Sequence, residues 1–387
     1  MMQSLSKSLK LATLLALGVA LHPGPTFAQH YKQTNLVSDI PGEAAVTDPN
    51  LVNPWGITRS PGSPWWVSDN NSGLSTLYTG AGAIIPINGN GTVIIPPPKN
   101  APAGTIAAPT GIVFNGSSDF VLPAPNSNAA VFIFATEDGT ISGWNGGPSA
   151  VLAVDNNDNG SANGAVYKGA TSADINGKRF LYVTNFRAAR VEVYDTNFHR
   201  VQLSDDAFNP NVDHDGDDDH DHDQRVPSGF APFNIQNIGG SLFVTYAKQD
   251  AVRHDDIGGA GNGYVEIYTP AGKHIGHLEH GDWLNSPWGV VWTPRDFGEF
   301  SNTILVGNFR SGWIAAFNGF TRKFIGFVKN PDDSLVTIDG VWSLAFGNGA
   351  TAGPATTLFF TAGLDDEAHG LFGTLTPVAY EQDGDEE

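Results

Sequence analysis

Residues 53–80 read NPWGITRSPGSPWWVSDNNSGLSTLYTG. Cut at its turn residues, this stretch is three short strands: PWGIT, then WWVSD beyond a Pro/Gly/Ser turn, then LSTLYT beyond Asn-Asn-Ser-Gly. Short runs of aromatic and β-branched residues bounded by Gly, Pro, Asn and Asp are the mark of strands joined by tight turns. The same order returns five more times. First strands recur as APTGIVF (108–114), YKGATSA (167–173), APFNIQNI (231–238), SPWGVVWT (286–293) and DGVWSLAF (339–346), at intervals of about 50–60 residues. Second strands with polar exits follow as AVFIFATEDG, RFLYVTNFR, SLFVTYAKQD, NTILVGNFR and TLFFTAGLDD. Third strands follow as GTISGW, RVEVYD, GYVEIYT, GWIAAF and HGLFGTL, and HRVQL and RKFIGFV read as outer strands. Radial repetition of this kind specifies an all-β, six-bladed β-propeller. A pair of β-sandwiches does not require the same Pro-Gly approach and the same polar exit in every unit. The last unit stops at its third strand, so QTNLVSDI (33–40) is expected to supply the fourth, closing the ring and hiding both sheet edges.

Composition narrows the function classes. The 387 residues include 46 Gly and 25 Pro with only 16% charged residues, which excludes an all-helical protein. The formal net charge of −20 repels phosphate backbones, so nucleic acid is not an expected partner. With no cysteine there is no disulfide, thiolate nucleophile or Cys-ligated metal. Residues 1–28 carry Lys7 and Lys10, an 11-residue apolar run over 11–21, and the small-x-Ala ending Thr26-Phe27-Ala28. That order reads as a signal peptide cut after Ala28, the run being shorter than the roughly 20 residues a membrane span needs. The expected organisation is therefore a leader (1–28), a single propeller (29–378) and an acidic tail (379–387). The product would be secreted or periplasmic, with no transmembrane segment, and a monomer.

Several strings are long enough to carry a resemblance: ATEDGTISGWN, APFNIQNIGG, HDDIGGAGNGYVEIY, LNSPWGVV and FTAGLDDEAHGLFGTLTP. With them the chain resembles a family of secreted bacterial proteins with NHL-like propeller repeats, some of which carry a C-terminal sorting and anchoring tail. The resemblance implies fold and export and supplies no reaction. This chain departs from it by ending in VAYEQDGDEE and by the insertion VDHDGDDDHDHDQR (212–225), where Asp alternates with His214, His220 and His222. Such a segment is expected to be an exposed, weakly cation-binding loop.

In a four-stranded blade, the approach loops and the loops between second and third strands ring one mouth of the central channel. Acids expected there as metal ligands are Glu137, Asp250, Asp255, Asp256, Asp365, Asp366, Glu367 and, with them, His369. Carboxylates so dense need an opposing charge. A divalent cation, calcium first because oxygen ligands suit it, is one answer, and ion pairs with Lys or Arg are the other. Ligand contacts are expected from Trp55, Arg187, Asn234, Lys248, Trp288, Arg310 and Trp342, the tryptophans stacking on sugars or apolar groups if they face outward. His274, His277 and His280 resemble a zinc triad on paper, but strand alternation would send His274 and His277 to opposite faces, leaving surface histidines. No P-loop, dinucleotide fingerprint, Gly-x-Ser-x-Gly or His-Glu-x-x-His occurs, so no nucleotide or organic cofactor is indicated. Two readings stay open. One is an exported cation-binding propeller that takes a small molecule, carbohydrate or exported protein at its mouth. The other is an extracytoplasmic metal-dependent hydrolase or lyase, with the metal on the axis and His254 as candidate base.

Overall fold

Five of the six repeats fold as four-stranded antiparallel sheets with their strands in chain order. The sixth sheet has five strands, three from the last repeat and two from the chain's start, of which the outermost, Val46–Thr47, pairs parallel. The computed structural model describes residues 30–87, 89, 91–211 and 226–378. The expected leader, the insertion 212–225 and the acidic tail lie outside the described residues. Blade 1 starts with inner strand Pro54–Thr58, blade 2 with Pro109–Phe114, blade 3 with Tyr167–Ile175, blade 4 with Phe230–Ile238, blade 5 with Pro287–Trp292 and blade 6 with Val341–Phe346. Blade 6 contributes two further strands of its own, Leu358–Ala362 and Leu371–Pro377, and the chain's first strand, Tyr31–Ser38, pairs antiparallel with the latter. The ring is thus closed as expected, with the closing strand beginning two residues earlier than the sequence reading placed it. Tyr31 anchors it: the ring is fully buried, and its hydroxyl donates to the Phe297 carbonyl at 2.9 Å in blade 5. No helix among the described residues is long and apolar enough to cross a membrane.

Six apolar clusters fill the wedges between adjoining blades, and a seventh lies on the axis. The axial cluster has a local cause. Every inner strand shifts register by a bulge just after its start, at Pro54/Ile57, Pro109/Ile112, Tyr167/Ala170, Pro232/Asn234, Pro287/Val290 and Val341/Leu344. A bulge re-aims the extra residue out of the pleat. In blades 1, 4, 5 and 6 that residue is Trp55, Phe233, Trp288 or Trp342, and these rings meet across the channel. Trp55 stacks on Trp342 at 3.7 Å between ring centres, and Trp288 meets Trp55 edge-on at 6.1 Å. The residue after the bulge is glycine in four blades because the inner strands crowd at the centre. A Cβ on Gly289 would lie 2.5 Å from the Trp342 carbonyl oxygen, and one on Gly111 would lie 2.5 Å from the Ala170 amide. The repeated Trp-Gly is therefore a packing device: the large residue plugs the axis and the glycine admits the neighbouring strand.

Candidate functional site

The aromatic plug is the floor of the mouth. In blade 3 the plug position is taken by Lys168, only 2% exposed. Its ammonium lies 5.0 Å above the Trp55 ring and 5.7 Å from Phe186. It donates to Glu137 Oε1 and lies 3.4 Å from Asp255 Oδ1. Burial alone would lower the lysine pKa, but Glu137 and Asp255 outweigh it and hold the group above its ordinary value. His254 Nδ1 bonds Asp255 Oδ1 at 2.8 Å, which raises the imidazole and, with Lys168, pulls the aspartate well below the carboxylate range. Glu137 Oε2 accepts from Asn70 at 2.8 Å.

The opposite rim is built by Arg310 and the turn after the second strand of blade 6. Arg310 grips Asp256 with two hydrogen bonds, 2.8 and 3.0 Å, approaches Asp366 at 3.7 Å and stacks on Phe309 at 4.6 Å. Asp365, Asp366 and Glu367 form a left-handed turn, with φ of 52°, 53° and 71°. Side chains other than glycine rarely adopt this conformation, at about 1–2 kcal/mol each, and such strain concentrates at functional sites. The turn is held by Asp339, whose carboxylate accepts the Asp365 amide at 2.9 Å, and by Asn71, which donates to the Glu367 carbonyl at 2.7 Å. It brings the Glu367 carboxyl toward Glu137 and Asp255. Burial and then Glu137 push its pKa up to about 7, with Lys168 and Arg310 pulling the other way. The mouth thus holds a carboxyl whose pKa is pushed up to about 7 and an imidazole raised above its ordinary value, around a buried ammonium.

Of the acids read as metal ligands, Glu137, Asp255, Asp256, Asp366 and Glu367 converge here together with Arg310. Asp250 instead caps its own turn, accepting the His254 amide at 2.8 Å, and Asp365 is exposed. His369 pairs with Asp39 at 2.7 Å, beside the end of the closing strand. Among the residues read as ligand contacts, Lys248 is exposed and Arg187 donates to the Gly164 carbonyl at 2.8 Å. Asn234 is buried, donating to the Trp288 carbonyl at 2.8 Å. Trp55, Trp288 and Trp342 do not face outward: at 2%, 4% and 1% exposure they pack on one another. Trp342 Nε1 donates to Asn53 at 3.0 Å, whereas among the described residues Trp55 Nε1 and Trp288 Nε1 are buried with no acceptor. Below the plug, the channel retains a cavity of about 30 Å³, room for a water or two.

Lys168 is the residue the sequence reading missed. Its signal was present: aligned on the inner strands, Lys168-Gly169 stands where three blades have a tryptophan at the bulge. The placement of His274 and His277 on opposite faces is corrected too. A bulge between His274 and Gly276 on the outer strand of blade 4 returns both rings to one side, 6.5 Å apart and 17° from parallel.

No family model matches the chain. The uncharacterized protein R648 of Acanthamoeba polyphaga mimivirus is 30% identical over 356 residues, covering 89% of this chain and 80% of the viral protein. The uncharacterized protein L690 of the same virus is 27% identical over 352 residues, covering 89% and 85%. Among solved structures, a protein of unknown function from Bacteroides thetaiotaomicron superposes with a TM-score of 0.50 at 9% identity, over 90% of this chain and 76% of the other. A streptogramin B lyase superposes with a TM-score of 0.47 at 11% identity, over 90% and 97%. At such identities the likeness concerns the fold alone.

Proposed function

For a chain that belongs to the family of the mimivirus protein R648, we propose the function of an exported ligand-binding propeller whose mouth takes a small polar ligand over the Trp55–Trp342 floor. The observation that carries this reading is the buried Lys168 ammonium ringed by Glu137, Asp255, His254 and a Glu367 carboxyl whose pKa is pushed up to about 7. A fixed cation, a carboxyl that can donate or accept, and an imidazole together suit a ligand with both hydroxyl and carbonyl or amide groups. Buried polar groups discriminate well because a mismatched ligand leaves them unpaired. Export enters through the order of residues 1–28.

A second reading is acid–base catalysis at the same mouth, favoured by a Glu367 carboxyl pushed up to about 7 and a His254 imidazole raised by its bond to Asp255. Its metal-dependent form would place a divalent ion on Glu137, His254 and Asp255, whose ligand atoms lie within 4.8 Å of one another. That ion would sit beside the Lys168 ammonium, which shares Glu137 and Asp255 with it and opposes it by charge repulsion.

The test uses protein recovered from the exported fraction, with its N-terminus expected at Gln29. Thermal shifts are read against a panel of mono- and oligosaccharides, amides and esters, with elemental analysis alongside. A ligand that stabilises the wild type but neither Lys168→Met nor Glu367→Gln supports the reading, and turnover of that ligand supports the second. Equal shifts in all three proteins, or no shift across the panel, would sink mouth binding. One tightly held ion lost in Asp255→Asn would favour the metal form.

A further inference from the structure

One position in the blade is solved three ways. The third strand of blade 3 carries Val191-Glu192-Val193-Tyr194, that of blade 4 Val265-Glu266-Ile267-Tyr268, and that of blade 5 Ile314-Ala315-Ala316-Phe317. Their outer strands pair in matching register: Tyr194 faces Arg200, Tyr268 faces His274 and Phe317 faces Phe324. In blade 5 the site is apolar, with Ala315, Phe324 and Phe327 packed into the wedge toward blade 4. In blade 3 the buried Glu192 is neutralised by fixed cations, Arg190 at 2.7 Å and Arg200 at 3.5 Å. In blade 4 the buried Glu266 meets two histidines instead. His274 Nε2 lies 2.6 Å from Glu266 Oε2, and His277 is its register partner.

The bulge makes this possible, and it is shared. Blade 5 has the same shift, with Phe324-Ile325-Gly326-Phe327 in place of His274-Ile275-Gly276-His277. Gly276 and Gly326 have φ of 141° and 148°, which L side chains rarely adopt. The glycine flips the isoleucine outward, 40% exposed in blade 4, and returns the two flanking rings to one face. Glu266, His274 and His277 then offer ligand atoms within 4.8 Å of one another.

We propose that Glu266, His274 and His277 form a binding site for one divalent transition-metal ion of the zinc class, distinct from the mouth, that fastens the outer strand of blade 4 to its sheet. Two imidazoles and a carboxylate suit zinc and leave one position for water. The carboxylate lies deep, 3% exposed, and His274 is 14% exposed, so the inner ligands are held by packing before the ion arrives. Preorganisation of this kind favours a tight site over a casual surface pair.

Zinc is titrated into the full chain by competition with a chromophoric chelator, and cobalt binding is read from its visible absorption. The triple variant Glu266→Ala/His274→Phe/His277→Phe copies the blade 5 residues and keeps the bulge glycine. It is expected to fold, to lose one equivalent of zinc and to lose the cobalt bands. Removing a single ligand should weaken binding about a hundredfold, because outer-shell partners alone are worth roughly 10–100-fold. Deleting residues 212–225, or Asp255→Asn at the mouth, should leave this equivalent in place, which separates it from cations held elsewhere. Unchanged zinc binding in the triple variant, or no zinc retained by the deletion variant, overturns the proposal. Should the triple variant not fold, His277→Ala serves, and an unaltered zinc affinity there overturns it equally.

Discussion

Glu367 shows how one side chain can couple the mouth to pH. Its pKa is pushed up to about 7 from 4.5, first by burial and then by Glu137. The folded state therefore prefers the protonated form. Stability from this group is complete below the unfolded value and is lost as pH rises through the folded one. Glu367→Gln, a permanent mimic of the protonated carboxyl, should melt with the wild type near pH 4.5 and a few degrees above it near pH 8. Calorimetry at both pH values checks this, and equal melting temperatures at the higher pH would mean that the carboxyl carries no such strain. The tryptophans teach the complementary lesson. An aromatic residue at a loop–strand junction can face outward or plug the axis, and local sequence does not distinguish the two.

At the scale of the element, the Trp-Gly pair at the inner-strand bulge does two jobs with two residues. Gly289 has ordinary backbone angles, so its requirement is space alone, with the Trp342 carbonyl 2.5 Å from where a Cβ would sit. Gly289→Ala should cost about 1–3 kcal/mol, the usual range for overpacking. Gly62→Ala, in a turn where a Cβ meets nothing within 4 Å, should fall within about 0.5 kcal/mol of wild type. Denaturant unfolding of the pair measures the difference, and equal stabilities would remove the crowding argument. The outer-strand bulges show the limit of counting alternate residues. Ile275-Gly276 resets the period, so His274 and His277 share a face that strict alternation denies them.

For the whole molecule, closure is the decisive contact. The strand Tyr31–Ser38 covers the edge of Leu371–Pro377 and ties the first residues of the ring to the last. Removing residues 30–38 should therefore leave blade 6 with an exposed edge rather than merely trim an end. The truncated chain is expected to aggregate or to melt without a single cooperative transition, read by light scattering and calorimetry. A truncated monomer with an unaltered transition would show that the ring holds without this seam.

Sequence by itself determined the number of blades, the strand order and the need for a closing strand. Those follow from short-range periodicity and from turn residues that recur six times. It also named most of the acids at the mouth, because the exit of every second strand is bound by topology to the same end of the channel. Only the tertiary structure decided what those acids face. Lys168 rises through the plug because a bulge turns it to the axis, and Arg310 reaches Asp256 from the next blade. Asp365, Asp366 and Glu367 adopt left-handed backbone because Asp339 and Asn71 hold them there. Each of these depends on contacts between residues far apart in the chain, which no local pattern encodes.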